Sequence, residues 1–277
     1  MCPPTYFDVR YAINPWMDTS VPVNTALALR QWSTLVAAYR AAGHRVELLD
    51  PIEGLPDMVF AANGATVIDG RVLPARFANP QRTAEAAQHT AWHRRHGVLV
   101  GADDVRLPLA VNEAEGDFAV LSTRVLAGYG FRTSVEAHQQ LAALTGREVT
   151  SLELVDARFY HLDVALTVLD DARDQIAYYP PAFSEASRQL LERRFPDAII
   201  ATALDAYAFG LNCVSDGQHV FVPSGADHLM RALRAADYEP VAIDLSELLK
   251  GGGSVKCCTQ EIRLRPSPLS HLNPNGA

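Results

Sequence analysis

Cys257 and His161 are the residues of this 277-residue chain best suited to covalent chemistry, one as a thiol that can attack and the other as an imidazole that can move protons. A thiol becomes a useful nucleophile when a neighbouring cation lowers its pKa from about 8.5. Gly251-Gly252-Gly253 ahead of Cys257 allows close backbone approach, and Lys256 puts positive charge beside it. Cys258 should point to the opposite face of a strand, so it reads as packing. In His161-Leu162-Asp163 the two-residue spacing puts imidazole and carboxylate on one strand face, where both could touch a single ligand. Glu113, in Glu113-Ala114-Glu115-Gly116-Asp117, is a candidate to orient His161 and stabilise its charge.

Carboxylates outnumber cations in this set, which suits a cationic ligand, and a planar guanidinium matches paired carboxylate oxygens. Asp57 and Asp163 are the candidates to hold it. If the ligand is an amino acid, its own carboxylate needs a counter-charge, and Arg132 or Arg82 could supply one. Asn14, Asn63, Asp117 and Asn212 complete the polar residues expected to converge.

Convergence requires a fold that brings distant segments to one axis. Five stretches, 23–42, 80–96, 134–145, 184–195 and 226–238, have helical apolar spacing, and Gly43, Gly97 and Gly146 are expected to stop the first three. Each is followed by a short strand-like run, at 45–49, 97–100, 148–154, 198–201 and 240–243. Four hairpins lie between these pairs: 58–68 with 71–73 across Asp69-Gly70, 117–121 with 125–127, 162–169 with 175–179, and 211–215 with 218–222. A fifth would form if 5–13 near the start paired with 255–264 near the end, closing a ring. The pattern predicts an α/β chain of pseudo-fivefold ββαβ units, a five-bladed α/β propeller with a central cleft. A three-layer α/β sandwich is the alternative.

Composition narrows the partners. The formal charge of −8 disfavours nucleic acid, whose phosphates need a clustered basic surface, and favours a cationic small molecule. No apolar run is long enough for a membrane span, and the first residues lack a signal-peptide pattern, so a cytoplasmic location is expected. The four cysteines show no zinc-like spacing, and adjacent Cys257 and Cys258 suit free thiols in a reducing compartment. Structural zinc is therefore not expected. Residues 1–266 are expected to form a single catalytic domain and 267–277 a flexible tail. Association into a homo-oligomer is left open.

These motifs resemble the guanidino-group-modifying pentein enzymes: arginine deiminases, dimethylarginine dimethylaminohydrolases, amidinotransferases and arginine dihydrolases. The resemblance spans nearly the whole chain and rests on Pro56-Asp57-Met58-Val59-Phe60, the 113–117 stretch, 128–133, His161-Leu162-Asp163 and the run from Gly251 to Cys257. It implies a pentein propeller whose site acts without metal or organic cofactor, with Cys257 as nucleophile, His161 as general acid/base and Glu113 as its partner. Asp57 and Asp163 would hold the guanidinium, and Arg132 with Arg82 the substrate carboxylate. Relatives often read Glu-x-Gly-Asp, which leaves Glu113 and Glu115 as alternatives for the third catalytic residue. Ala61-Ala62-Asn63 stands where dimethylarginine hydrolases tend to carry acidic residues, and the 11–17 segment with Asn14 is similar to arginine dihydrolase domains. The resemblance therefore implies conversion of arginine to ornithine. A citrulline-forming hydrolase, an amidinotransferase and a non-catalytic binding protein of the same fold are the alternatives.

Overall fold

A computed structural model describes residues 1–264. The chain begins with an irregular segment and α1 (Thr25–Ala41), whose Asn24 side chain caps the Leu27 N–H. Four repeats of one ββαβ unit follow. In the first, β1 (Ala65–Ile68) and β2 (Arg71–Pro74) form a hairpin, α2 (Glu85–Val100) crosses over, and β3 (Asp104–Val105) lies parallel to β2. The second has β4 (Phe118–Val120), β5 (Arg124–Tyr129), α3 (Val135–Thr145) and β6 (Glu148–Glu153). The third has β7 (Leu166–Asp170), β8 (Gln175–Tyr178), α4 (Glu185–Arg194) and β9 (Ile199–Ile200). A short α5 (Ala203–Tyr207) leads to the fourth, with β10 (Val214–Ser215), β11 (His219–Pro223), α6 (Asp227–Ala235) and β12 (Glu239–Ile243). The last helix among the described residues is α7 (Ser246–Leu249).

Each unit thus gives a three-stranded sheet whose inner hairpin is antiparallel and whose outer strand returns parallel after a helix. A unit this small cannot bury both sheet faces alone, so stability comes from stacking neighbours into a ring. The buried clusters show it: Ile68 and Leu73 of the first unit pack with Phe118, Val125 and Leu141 of the second. The fold is the expected five-bladed α/β propeller.

The fifth unit departs from expectation. Residues 5–13 and 255–264 form no ladder, and 45–49 is not a strand. The carbonyl of Met1 accepts the Leu49 N–H at 2.9 Å, and Val67 bridges Ile262 in parallel. Side-chain packing replaces the ladder: Trp32, Leu35 and Tyr39 of α1 bury against Phe7, Val255, Cys257 and Cys258. α2 also differs, because it runs through Gly97 and ends at Gly101, which adopts the left-handed cap at φ 65°. Gly97 serves close approach, since a Cβ there would lie 2.5 Å from the Ala102 carbonyl oxygen. The expected strand 97–100 is therefore helix, and the returning strand begins at Asp104. The tail expected at 267–277 lies outside the described residues. Among those described, no helix is long and apolar enough to cross a membrane.

Candidate active site

The expected first strands of the first and third units begin late, because the 3-10 turns Ala61–Asn63 and Leu162–Val164 occupy their starts, and a like turn, Ala114–Gly116, stands just ahead of β4 in the second. These turns face one another at the ring's centre and display the polar residues read from the sequence. His161 and Asp163 are consequently brought to this centre by a tight turn and not by strand alternation.

His161 is buried between two carboxylates, its Nδ1 at 3.1 Å from Asp117 and its Nε2 at 3.2 Å from Glu113. Burial, the largest influence, favours the neutral ring, but Asp117 first and Glu113 behind it outweigh that and lift the imidazole to about 9. Burial likewise opposes ionisation of Glu113, yet His161, Arg132 and Arg82 together hold it at about 2. Asp117 is itself fixed by donors from Thr133 Oγ1 at 2.6 Å and the Leu162 N–H at 3.1 Å. Glu115 turns away and pairs with Lys256 and Arg263. The residue facing His161 is thus Glu113, because the turn Ala114–Gly116 lies between the two glutamates. Gly116 makes room for the meeting: a Cβ on it would lie 2.3 Å from Asn63 Nδ2 and 3.0 Å from His161 Nδ1.

Cys257 is buried, and its thiol donates to Asp163 Oδ2 at 3.2 Å. Burial, and after it the Asp163 charge, push the thiol well above its ordinary range. Lys256 does not offset this as its neighbouring position suggested, because its ammonium is spent on Glu115 and Glu261. Burial also raises Asp163, to about 6, and raises Asp57. One oxygen of each, Asp163 Oδ1 and Asp57 Oδ1, is buried with no hydrogen-bond partner, while Tyr11 donates to the other oxygen of Asp57 at 2.9 Å.

Arg82 and Arg132 are buried, not exposed. Arg82 pairs with Glu85 at 2.8 Å and donates to Asn63 Oδ1 at 2.9 Å and to the Asp57 carbonyl. Arg132 binds both Glu113 oxygens and the Ile13 carbonyl, and lies 4.8 Å over the Tyr160 ring. Asn14 donates from Nδ2 to the Gly251 carbonyl and the Tyr160 hydroxyl and accepts the Trp16 N–H at Oδ1, fastening one loop to another. Asn14, Asp57, Asn63, Arg82, Arg132 and Cys257 line a common cavity of about 10 Å³, space for the centre of about one water. Sequence reasoning assigned no role to Asp117, Tyr11 or Asn212. Asp117 lay in the quoted 113–117 motif, so a signal for it was present.

A propeller centred on a thiol, an imidazole and two carboxylates that each keep one oxygen without a hydrogen-bond partner has the architecture of a guanidino-group-modifying pentein enzyme. The chain is 53% identical over 265 residues to the N(G),N(G)-dimethylarginine dimethylaminohydrolase of Mycobacterium tuberculosis, covering 95% of this chain and 84% of that protein, and it belongs to this pentein family. It is 35% identical to the bifunctional arginine dihydrolase/ornithine cyclodeaminase ArgZ of Synechocystis, covering 95% of this chain but only 37% of that longer protein. Among solved structures, the N-terminal domain of ArgZ bound to substrate, a cyanobacterial arginine dihydrolase, superposes with a TM-score of 0.89 at 33% identity, covering 95% of this chain and 97% of that one. No family model matches the chain. The protein is an enzyme, a hydrolase of guanidino carbon–nitrogen bonds.

Proposed function

We propose that the chain is an arginine dihydrolase, converting L-arginine and two waters to ornithine, carbon dioxide and two ammonia. The unpaired oxygens of Asp57 and Asp163 suit the N–H donors of a guanidinium laid against the thiol. That cation supplies the positive charge which burial and Asp163 deny the thiol, so as substrate binds the Cys257 proton is released to water and the thiolate forms. The thiolate attacks the guanidinium carbon, and His161, protonated below about pH 9, gives its proton to the departing ammonia. Neutral His161 then takes one proton from the water that hydrolyses the covalent thiouronium, and the second proton passes to solvent, leaving a ureido group and the Cys257 thiolate for the next attack. A second attack on that ureido carbon releases the second ammonia, and hydrolysis of the thiocarbamate frees a carbamate that loses carbon dioxide to give ornithine.

Asn63 carries the choice of a double round. Arg82 holds its Oδ1 at 2.9 Å, which turns Nδ2 toward the Glu113 carbonyl and the His161 edge, 3.4 and 3.5 Å away. A neutral N–H donor can support a ureido oxygen, whereas a carboxylate at this place would repel it. Arg82 or Arg132 would bind the amino-acid carboxylate by exchanging one of its present acceptors, and residues 11–17 would part to admit a substrate larger than the cavity. Four buried, unbridged cysteines support work in a reducing, cytoplasmic setting. Sites drawn from every unit support one catalytic domain.

Mass analysis after incubation with L-arginine tests this reading: ornithine is expected, and accumulation of citrulline would make the enzyme a deiminase. The M. tuberculosis relative favours a second reading, dimethylarginine hydrolysis. Dimethylamine release from dimethylarginine with arginine left intact would establish it. Asn63→Asp should slow the second round more than the first, so citrulline appears where the wild type yields ornithine.

A further inference from the structure

We propose that Asn212 is the hydrogen-bond donor that stabilises the Cys257 sulfur as a thiolate. Asn212 precedes β10 in the fourth unit and is fully buried, with its backbone N–H bound to the Phe209 carbonyl at 2.8 Å. Its side chain spans two other units. Nδ2 donates to the Asp163 carbonyl at 3.2 Å and approaches Cys257 Sγ at 3.1 Å, while Oδ1 accepts the Ser254 and Cys257 N–H groups at 3.1 and 3.2 Å.

These partners fix which end of the amide faces the sulfur. Flipping it would set Oδ1 against the Asp163 carbonyl oxygen and Nδ2 against two backbone N–H groups, opposing acceptor to acceptor and donor to donors. The N–H must therefore point at Sγ. In the resting thiol the S–H goes to Asp163 and the sulfur lone pair receives the Asn212 N–H. Once the proton leaves, the same N–H becomes a charge-assisted bond that needs no rearrangement.

This role rests on the reading of Cys257 as nucleophile, and it serves both halves of a round. As the S–C bond forms and C–N breaks, the sulfur gives up its charge. When water forms the C–O bond, C–S breaks and the electron pair returns to sulfur, beside the waiting N–H. Asn212 thus assists sulfur as a leaving group as well as an attacking one.

Two variants read this role separately from loop anchoring. Asn212→Asp keeps an acceptor for the Ser254 and Cys257 N–H groups but removes the donor, whereas Asn212→Ala removes both. The probe is 2-chloroacetamidine, which forms an S–C bond at Cys257 as chloride leaves and needs no guanidine turnover. In both variants the pH midpoint of Cys257 alkylation should rise by about one unit or more, as for a lost bond to a charged group. kcat should fall at least about tenfold while KM stays within about threefold. A wild-type alkylation profile and kcat in Asn212→Asp overturn the proposal, whether or not Asn212→Ala is impaired; so does absence of Cys257 alkylation in the wild type. Failure of the wild type to turn over arginine, with the alkylation shifts intact, sinks the dihydrolase reading and leaves Asn212's role standing.

Discussion

Buried imidazoles in two parts of this molecule meet opposite fates. His161 at the ring's centre is lifted to about 9, whereas His89 and His93 on α2 are depressed to about 3 and about 4. Burial acts in the same direction on all three, by favouring the neutral ring. The difference lies in the partners. His161 has a carboxylate on each nitrogen. His93 has the Gln260 amide at 3.0 Å and an unpartnered Nδ1, and His89 has an unpartnered Nε2. In the first unit an imidazole fills space; at the axis it carries a charge that two acids from another unit hold in place.

Removing those acids should have the largest effect. Asp117→Asn takes away the strongest influence that raises His161, and Glu113→Gln the next. Each should lower the His161 pKa as followed by NMR titration and cut kcat by about a hundredfold or more, the scale of a lost general acid. The folded-state pKa of His161 is raised above its unfolded 6.5, so its contribution to stability is complete below 6.5 and disappears as pH rises through about 9. Both variants should flatten that alkaline loss in thermal melts. An unchanged His161 titration would show that the carboxylates do not govern the ring.

The same contrast explains what could be read from the sequence. Hairpins and crossover helices announce themselves through local periodicity, and Asp69-Gly70 marks a turn whose two residues both take positive φ. The 3-10 turns ahead of the first strands lack such a period, so Ala61–Asn63 and Leu162–Val164 were expected within strands. Gly97 carries the composition of a helix stop, but its role is set by the Ala102 backbone packed upon it. Cys257, His161 and Glu113 stood out by residue type and motif. The bond from Asn212 to Cys257, 45 residues apart, and the Asp117 pairing with His161, 44 apart, depend on how the units close. Local patterning contains the units; the pairings require the ring.

A smaller effect is expected in acid. The folded-state pKa values of His89 and His93 lie below the unfolded 6.5, so the native state disfavours protonation, and stability is lost as pH falls below 6.5 toward their folded values. Near pH 5 each ring should cost up to about 2 kcal/mol. Melting temperatures of wild type and a His89→Gln/His93→Gln double variant, compared between neutral and mildly acid buffers, should show a flatter acid decline for the variant. Equal declines would move the acid sensitivity elsewhere.

His138 supplies the smallest and sharpest test, because it is buried and neutral yet fully partnered. Its Nε2 lies 3.1 Å from the Gly128 carbonyl, which can only accept, so Nε2 carries the proton and Nδ1 accepts from Ser151 Oγ at 2.8 Å. Burial, the leading cause, lowers its pKa against the pull of the Gly128 carbonyl and the Asp117 charge. His138→Gln keeps a donor and an acceptor but shortens the reach, and should cost about 1 kcal/mol in neutral denaturant melts. Ring protonation replaces the Nδ1 acceptor with a donor, which Ser151 can meet by turning its hydroxyl, so the variant should alter the acid slope less than the His89/His93 pair does. A slope change as large as theirs would mean that desolvation alone, and not the supply of partners, separates the histidines of this fold.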